Sequence, residues 1–204
     1  MSLTFALIRE RKNPPDKRVV MTPQQCVLFK KQFPQAQLLV ETSPIRIFDD
    51  QSYRALGIEV TDDVSSADIM IGVKEVPKQA LIPGKSYLFF SHTIKKQPYN
   101  RELLRAILDL KISLFDHETF VSASGSRLIG FGRYAGLVGA YNGFRLFGLR
   151  QGLFDLPKVH TLYDLEEVKE ALDQISLPQH FKVVLTGKGK VALGAQEILQ
   201  HLGL

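Results

Sequence analysis

The 204-residue sequence holds a single cysteine, Cys26, which excludes an internal disulfide and fits a cytoplasmic chain. Its neighbours read as one face of a helix, so a buried thiol is the expectation rather than a nucleophile. No apolar run approaches the roughly 20 residues of a membrane-crossing helix, and no membrane partner is expected. Arg9, Glu10 and Arg11 break the first apolar stretch too early for a signal peptide. The spacing of His, Cys, Asp and Glu suits no metal site, so no metal is expected. Neither a nucleophile elbow nor a Ser-His-Asp order can be traced, which leaves serine-hydrolase chemistry without support.

What is present suits a soluble globular chain. The apolar share is 45% with a mean hydropathy of −0.02, enough for a sizeable core. The length allows one large domain or one and a half. Lysine and arginine number 26 against 21 acids, giving a net charge of +5. They gather at 9–18, Lys30–Lys31, Lys95–Lys96 and 182–190. No aromatic-interleaved basic strand or metal finger accompanies them, so nucleic acid is not the expected partner. Anionic small molecules, either carboxylates or dinucleotide phosphates, account for the same charge.

The stretch from Ala67 to Gln97 organises the chain. Ala67-Asp68-Ile69-Met70-Ile71-Gly72-Val73 and Ser86-Tyr87-Leu88-Phe89-Phe90 are short apolar runs bounded by Pro and Gly, as buried parallel strands are. Lys74 follows the first run and His92 the second. Ligands in open α/β sheets bind beyond the carboxyl ends of strands. A lysine and a histidine there suggest an acid/base pair for a small polar substrate. A solvated lysine and a core histidine bonded to a carbonyl are the bland alternatives.

Further strands are expected at Leu3–Ile8, Gln37–Glu41, Ile58–Val60 and Ile112–Phe115, with Arg127–Phe131 as one arm of a hairpin. Thr22-Pro23-Gln24-Gln25 carries a capping box and Pro at the first helical position. Phe48–Leu56 reads as a short helix closed by Gly57, and Asn100 as the cap of a helix with Leu103, Leu104, Ile107 and Leu108 on one face. The alternation predicts α/β: a mostly parallel, Rossmann-like sheet flanked by helices.

Gly132 to Arg150 reads as a long connecting helix. Gly132, Gly136, Gly139, Ala140 and Gly143 suggest close backbone approach, because glycine costs about 1 kcal/mol against alanine inside a helix. Gln151–Tyr163 is a linker, and Asp164 opens an amphipathic helix ended by Pro178. Phe181–Thr186 is read as a strand and Ala195, Ile198, Leu199 and Leu202 as the inner face of a last helix. Between them lies Gly187-x-Gly189-x-x-Ala192, the pattern of a dinucleotide-binding turn, with an ordinary βα turn as the alternative. The acid expected about 20 residues further, to hold a ribose, would fall beyond Leu204. The fold expected is therefore a substrate domain at 1–131, a connecting helix and linker at 132–163, and at 164–204 the first strand-helix unit of a second, incomplete Rossmann domain.

Four segments carry a family resemblance: Lys17-Arg18-Val19-Val20-Met21-Thr22-Pro23; Ile71 to Pro77; Phe89 to Gln97; and Gly130-Phe131-Gly132-Arg133-Tyr134-Ala135-Gly136-Leu137-Val138-Gly139. Together they resemble the alanine dehydrogenase/pyridine nucleotide transhydrogenase superfamily over nearly the whole chain. The last two suit its lysine-forming saccharopine dehydrogenase branch, including lysine–ketoglutarate reductase domains, better than alanine dehydrogenase. By position, the resemblance implies Lys74 and His92 as the acid/base pair. It implies Arg18, Lys95 and Arg127 as contacts to substrate carboxylates, and Glu75 and Glu118 as acids near the substrate amine. Gly187, Gly189 and Ala192 would then bind NAD or NADP.

The chemistry implied is reductive condensation of lysine with 2-oxoglutarate through an imine reduced by NAD(P)H, or the reverse. The partners implied are an amino acid and a 2-oxo acid; homo-oligomerisation is left open. Alanine dehydrogenase and a non-catalytic stand-alone domain of the same fold are the alternatives. With only the opening of the cofactor domain present, the 204 residues alone are expected to bind dinucleotide poorly and not to turn over.

Overall fold

The computed structural model describes residues 2–204, which divide into two compact units at Ile129/Gly130. The first unit follows the expected alternation: β1 (Thr4–Leu7), α1 (Pro23–Gln32), β2 (Gln37–Glu41), α2 (Asp50–Arg54), β3 (Glu59–Thr61), β4 (Ile69–Lys74), β5 (Ser86–Phe90), α3 (Arg101–Asp109) and β6 (Ser113–Asp116). All six strands are parallel, in the order β3-β2-β1-β4-β5-β6. This is the doubly wound Rossmann order, whose switch point lies between β1 and β4.

Strand neighbours in sequence point to opposite faces. Ala6, Leu39, Met70 and Phe89 therefore pack on one face with Leu103 and Ile107 of α3. Leu7, Leu38, Val40 and Ile71 pack on the other with Cys26 of α1 and Tyr53 of α2. Each such buried side chain contributes about 1.5–3 kcal/mol. The capping box at Thr22 forms in both directions: Gln25 N–H donates to the Thr22 hydroxyl, and Thr22 N–H donates to the Gln25 side chain.

Asn100 differs from expectation. It stands at the start of α3 without a side-chain cap bond. Its Nδ2 instead donates to the carbonyl of His92 at 3.0 Å. The arm expected at Arg127–Phe131 is reduced to one bridge, Val121 to Arg127, because the serine-rich turn at 122–126 closes on its own hydroxyls.

The second unit comprises α4 (Gly132–Gln151), α5 (Leu165–Asp173) and α6 (Lys190–His201) around Leu137, Tyr141, Phe144, Leu156, Val168, Leu172 and Ile198. Phe181–Thr186 does not form the expected strand. A strand needs a neighbour for its N–H and C=O groups, and among the described residues of this unit there is no other strand. Phe181 is anchored by the rings of Phe144 and Phe147, whereas Val184 is 87% exposed. α4 and α6 meet through glycine on both sides. A Cβ on Gly136 would stand 1.9 Å from the Val191 carbonyl oxygen, and one on Gly194 2.0 Å from that of Arg133. Gly139 and Gly143 face open space, so the close approach expected of the whole glycine series belongs to Gly132 and Gly136 within it.

Candidate active site

β4 ends on Lys74, β5 two residues before His92, and β6 two residues before Glu118. Lys74 pairs in register with Phe90, so neighbouring strand ends bring the His92 turn beside Lys74. The register between β4 and β5 shifts between Ile71 and Lys74, loosening the strand just before the lysine. His92 has φ +57° and ψ 10°, a left-handed conformation uncommon outside glycine. Three neighbours hold it there. Asn100 takes its carbonyl, and buried Ser91 donates to the Asp116 carboxylate and is met by Thr93. Asp116 also accepts Glu118 N–H at 2.8 Å, so the turns after β5 and β6 are tied together.

Four of the expected residues form one cluster. His92 Nδ1 lies 2.9 Å from Glu118 Oε2; Arg127 Nη2 and Lys95 Nζ lie 2.8 and 3.3 Å from Glu118 Oε1. Burial alone would raise the Glu118 pKa; hydrogen bonds from His92, Lys95 and Arg127 outweigh it and hold the carboxyl below its usual range. An ionised carboxylate only accepts, so Nδ1 carries the proton in that bond and Nε2 is left for exchange with a ligand. Lys95 Nζ is 3.3 Å from both Nδ1 and Glu118; with Nδ1 protonated, only the carboxylate can accept from the ammonium.

Of the other expected residues, Arg18 lies in the segment after β1, and Glu75, directly after β4, pairs with that segment. Arg18 binds Asp16 in fork geometry, Nε at 2.9 Å and Nη2 at 2.6 Å, which lowers the Asp16 pKa and raises that of Arg18. The Lys74 charge contributes to lowering Asp16 as well. Glu75 pairs through Oε1 with Lys12, while its Oε2 is buried with no protein partner. That unmatched acceptor suits a cationic group of a ligand.

Sequence reasoning passed over Glu10, Lys12, Asp16, Asp116 and His117. The first three lie in the charged segment 9–18, which carries no periodic signal and read only as a loop. Glu10 accepts Val73 N–H at 2.6 Å and Lys74 N–H at 2.9 Å. Burial raises its pKa, with the two amides acting against that rise. His117 is 6% exposed and donates from Nε2 to the Gly72 carbonyl at 3.1 Å.

Gly187, Gly189 and Ala192 lie in the second unit. Gly187 has φ +86°, which glycine adopts without strain, and Gly189 is the N-cap of α6. No side chain caps this 12-residue helix, no acid sits in its first turn, and a Cβ at either glycine would meet nothing within 4 Å. Open space before uncapped N–H groups, flanked by Lys188 and Lys190, fits a pyrophosphate. Among the described residues no group of three His, Cys, Asp or Glu is placed to hold a metal, and no helix is long and apolar enough to cross a membrane.

Residues 6–138 match the family model for the alanine dehydrogenase/PNT N-terminal domain. Similar proteins include the alpha-aminoadipic semialdehyde synthases of Bos taurus, named as mitochondrial, and Arabidopsis thaliana. They are 34% and 31% identical over 217 residues, which cover 97% and 96% of this chain but 23% and 20% of theirs. The NAD(+)-dependent, L-lysine-forming saccharopine dehydrogenase of Candida glabrata is 28% identical over 221 residues, 100% of this chain and 58% of that one. The chain thus spans about a fifth of the length of the first curated relatives it matches. Among solved structures, an L-alanine dehydrogenase superposes with a TM-score of 0.66 at 16% identity, over 98% of this chain and 52% of that one. At that identity the likeness speaks for the fold.

Proposed function

The chain belongs to the alanine dehydrogenase/PNT N-terminal domain family, and on that premise we propose that it is the substrate-binding part of an NAD(P)-dependent amino-acid dehydrogenase of the saccharopine type. The observation that supports the proposal is that Lys74 ends β4 in register with Phe90, two residues before His92, while His92, Lys95 and Arg127 gather on Glu118. The curated relatives, alpha-aminoadipic semialdehyde synthases and lysine-forming saccharopine dehydrogenases, support the choice of substrate.

In this reading the ε-amine of lysine attacks the 2-oxo carbon of 2-oxoglutarate, and loss of water from the carbinolamine leaves an imine. The nicotinamide, when bound, supplies hydride for that imine carbon. Lys74 and His92 move protons on and off the nitrogen and oxygen of these intermediates, worth about 10²–10⁴-fold. Arg18, Lys95 and Arg127 hold substrate carboxylates, and Arg18 and Arg127 can do so with two parallel bonds. Glu75 and Glu118 face the amine and keep the proton balance of the pair. Gly187, Gly189 and Ala192 form the turn for the cofactor pyrophosphate. We assign 1–131 to the substrate part, 132–163 to the connection and 164–204 to the opening of the cofactor part; the boundary between compact units at Ile129/Gly130 supports the first division.

An NADH-oxidation assay on the protein that carries this chain, with lysine plus 2-oxoglutarate, tests the proposal. Turnover should fall about 10²-fold or more in Lys74→Met and in His92→Gln. Faster turnover of pyruvate plus ammonia would favour alanine dehydrogenase. No turnover with either pair would leave a non-catalytic binding domain.

A further inference from the structure

Lys74 ends a strand whose last residues leave the regular ladder. Ile8 N–H donates to the Ile71 carbonyl at 3.0 Å, the last main-chain bond between the β1 segment and β4. The last two N–H groups of β4, those of Val73 and Lys74, are taken by the two oxygens of the Glu10 carboxylate. On the β5 side the register shifts between Ile71 and Lys74. There the Gly72 carbonyl is taken by His117 Nε2, reaching over from the turn after β6. Gly72 itself makes room for this arrangement: a Cβ there would come within 3.2 Å of Ile8 and 3.5 Å of Glu10 Oε1.

We infer that Glu10 and His117 are positioning residues, Glu10 taking the N–H groups of Val73 and Lys74 where the β1 ladder has ended and His117 bracing Gly72 where the β5 register shifts, and that together they fix the origin of the Lys74 side chain. The carboxylate supplies two acceptors on one rigid plane, matched to two consecutive amides, and so restrains translation and rotation of the strand end. A carbonyl only accepts, so His117 carries its proton on Nε2. Its Nδ1 is buried with no protein partner, and protonating it would bury an N–H with no acceptor. Burial accordingly lowers the His117 pKa, keeping the ring neutral in its bracing form. Phe90 and Phe120 pack against the ring, at centroid distances of 5.2 and 6.0 Å, and hold its plane. The inference rests on Lys74 as a proton-transfer group, as proposed above.

Two readouts on the 204-residue chain test it without requiring turnover. The first is amide hydrogen exchange. In Glu10→Ala, exchange at Val73 and Lys74 should quicken about tenfold or more, while the core amides of Ala6 and Met70 keep their rates. Glu10→Gln retains one acceptor oxygen and should fall between. The second is the chemical shift, at fixed pH, of the Lys74 13C-methyl signal after reductive methylation. It should move in Glu10→Ala and in His117→Leu, and return towards the parent value in His117→Gln, whose amide nitrogen can reach the Gly72 carbonyl. Unchanged exchange at Val73 and Lys74 would overturn the clamp. Quickened exchange with an unmoved Lys74 methyl signal would overturn its positioning role. Failure of the parent protein to oxidise NADH would count against the dehydrogenase reading, while these two readouts would still judge the clamp.

Discussion

The Nδ1 of His92 lies 2.9 Å from Glu118 Oε2, and the other oxygen of the same carboxylate receives Lys95 and Arg127. One acid therefore orients the ring of the proposed proton carrier and neutralises two cations beside it. Its depressed pKa has a direct consequence. The stabilisation is complete above the ordinary glutamate value of 4.5 and is lost as pH falls through the lower folded value. A 13C-carboxyl titration should place the Glu118 midpoint below 4.5, and Arg127→Ala should raise it. A midpoint at the ordinary value in the parent chain would show that the cluster does not form in solution.

Asn100 is 3% exposed and spends its amide on the His92 carbonyl, not on the helix it begins. Asn100→Ala should cost about 1–2 kcal/mol in urea unfolding, since it leaves a carbonyl of a strained turn unpaired. In the proposed dehydrogenase, the same change should lower kcat more than it raises KM, because His92 loses its backbone anchor. A larger effect on KM alone would argue that Asn100 serves substrate binding.

The glycines of α4 separate into two kinds. Gly136→Ala should destabilise the second unit by about 2–4 kcal/mol, because the new methyl lands on the backbone of α6. Gly139→Ala meets nothing within 4 Å and should stabilise the helix by about 1 kcal/mol. Hydrogen exchange of α4 and α6 amides reads both changes. Equal effects of the two substitutions would contradict the packing described.

Cys26 is fully buried, and burial lifts its thiol to about 11. At pH 8 roughly one thiol in a thousand would be ionised, so a disulfide reagent should label the native chain slowly and the urea-unfolded chain at once. Prompt labelling of the native chain would mean that α1 opens readily.

The sheet was legible because its strands are short apolar runs bounded by polar residues and turns: Gln37–Glu41 and Ser86–Phe90 form as the sequence suggests. Lys74 and His92 were legible for the same reason, standing where apolar runs stop. Glu10 and His117 were not, because each acts on the backbone of a segment more than forty residues away, and nothing local marks such a bond. Asn100 misled because the residue type that caps helices also satisfies any stray carbonyl. Phe181–Thr186 has the composition of a strand, but composition cannot supply the neighbour that a ladder needs.

The central position of β1 also sets a timetable. Glu10 and Lys74 are 64 residues apart, and every parallel pairing of the sheet needs a long crossover. At about 5–20 residues per second, the ribosome takes about 3–13 seconds between making the acid and making the lysine. Throughout that interval β1, one of the two central strands of the sheet, lacks its neighbour β4. The nascent chain passes through this state before Lys74 and the strand that carries it exist.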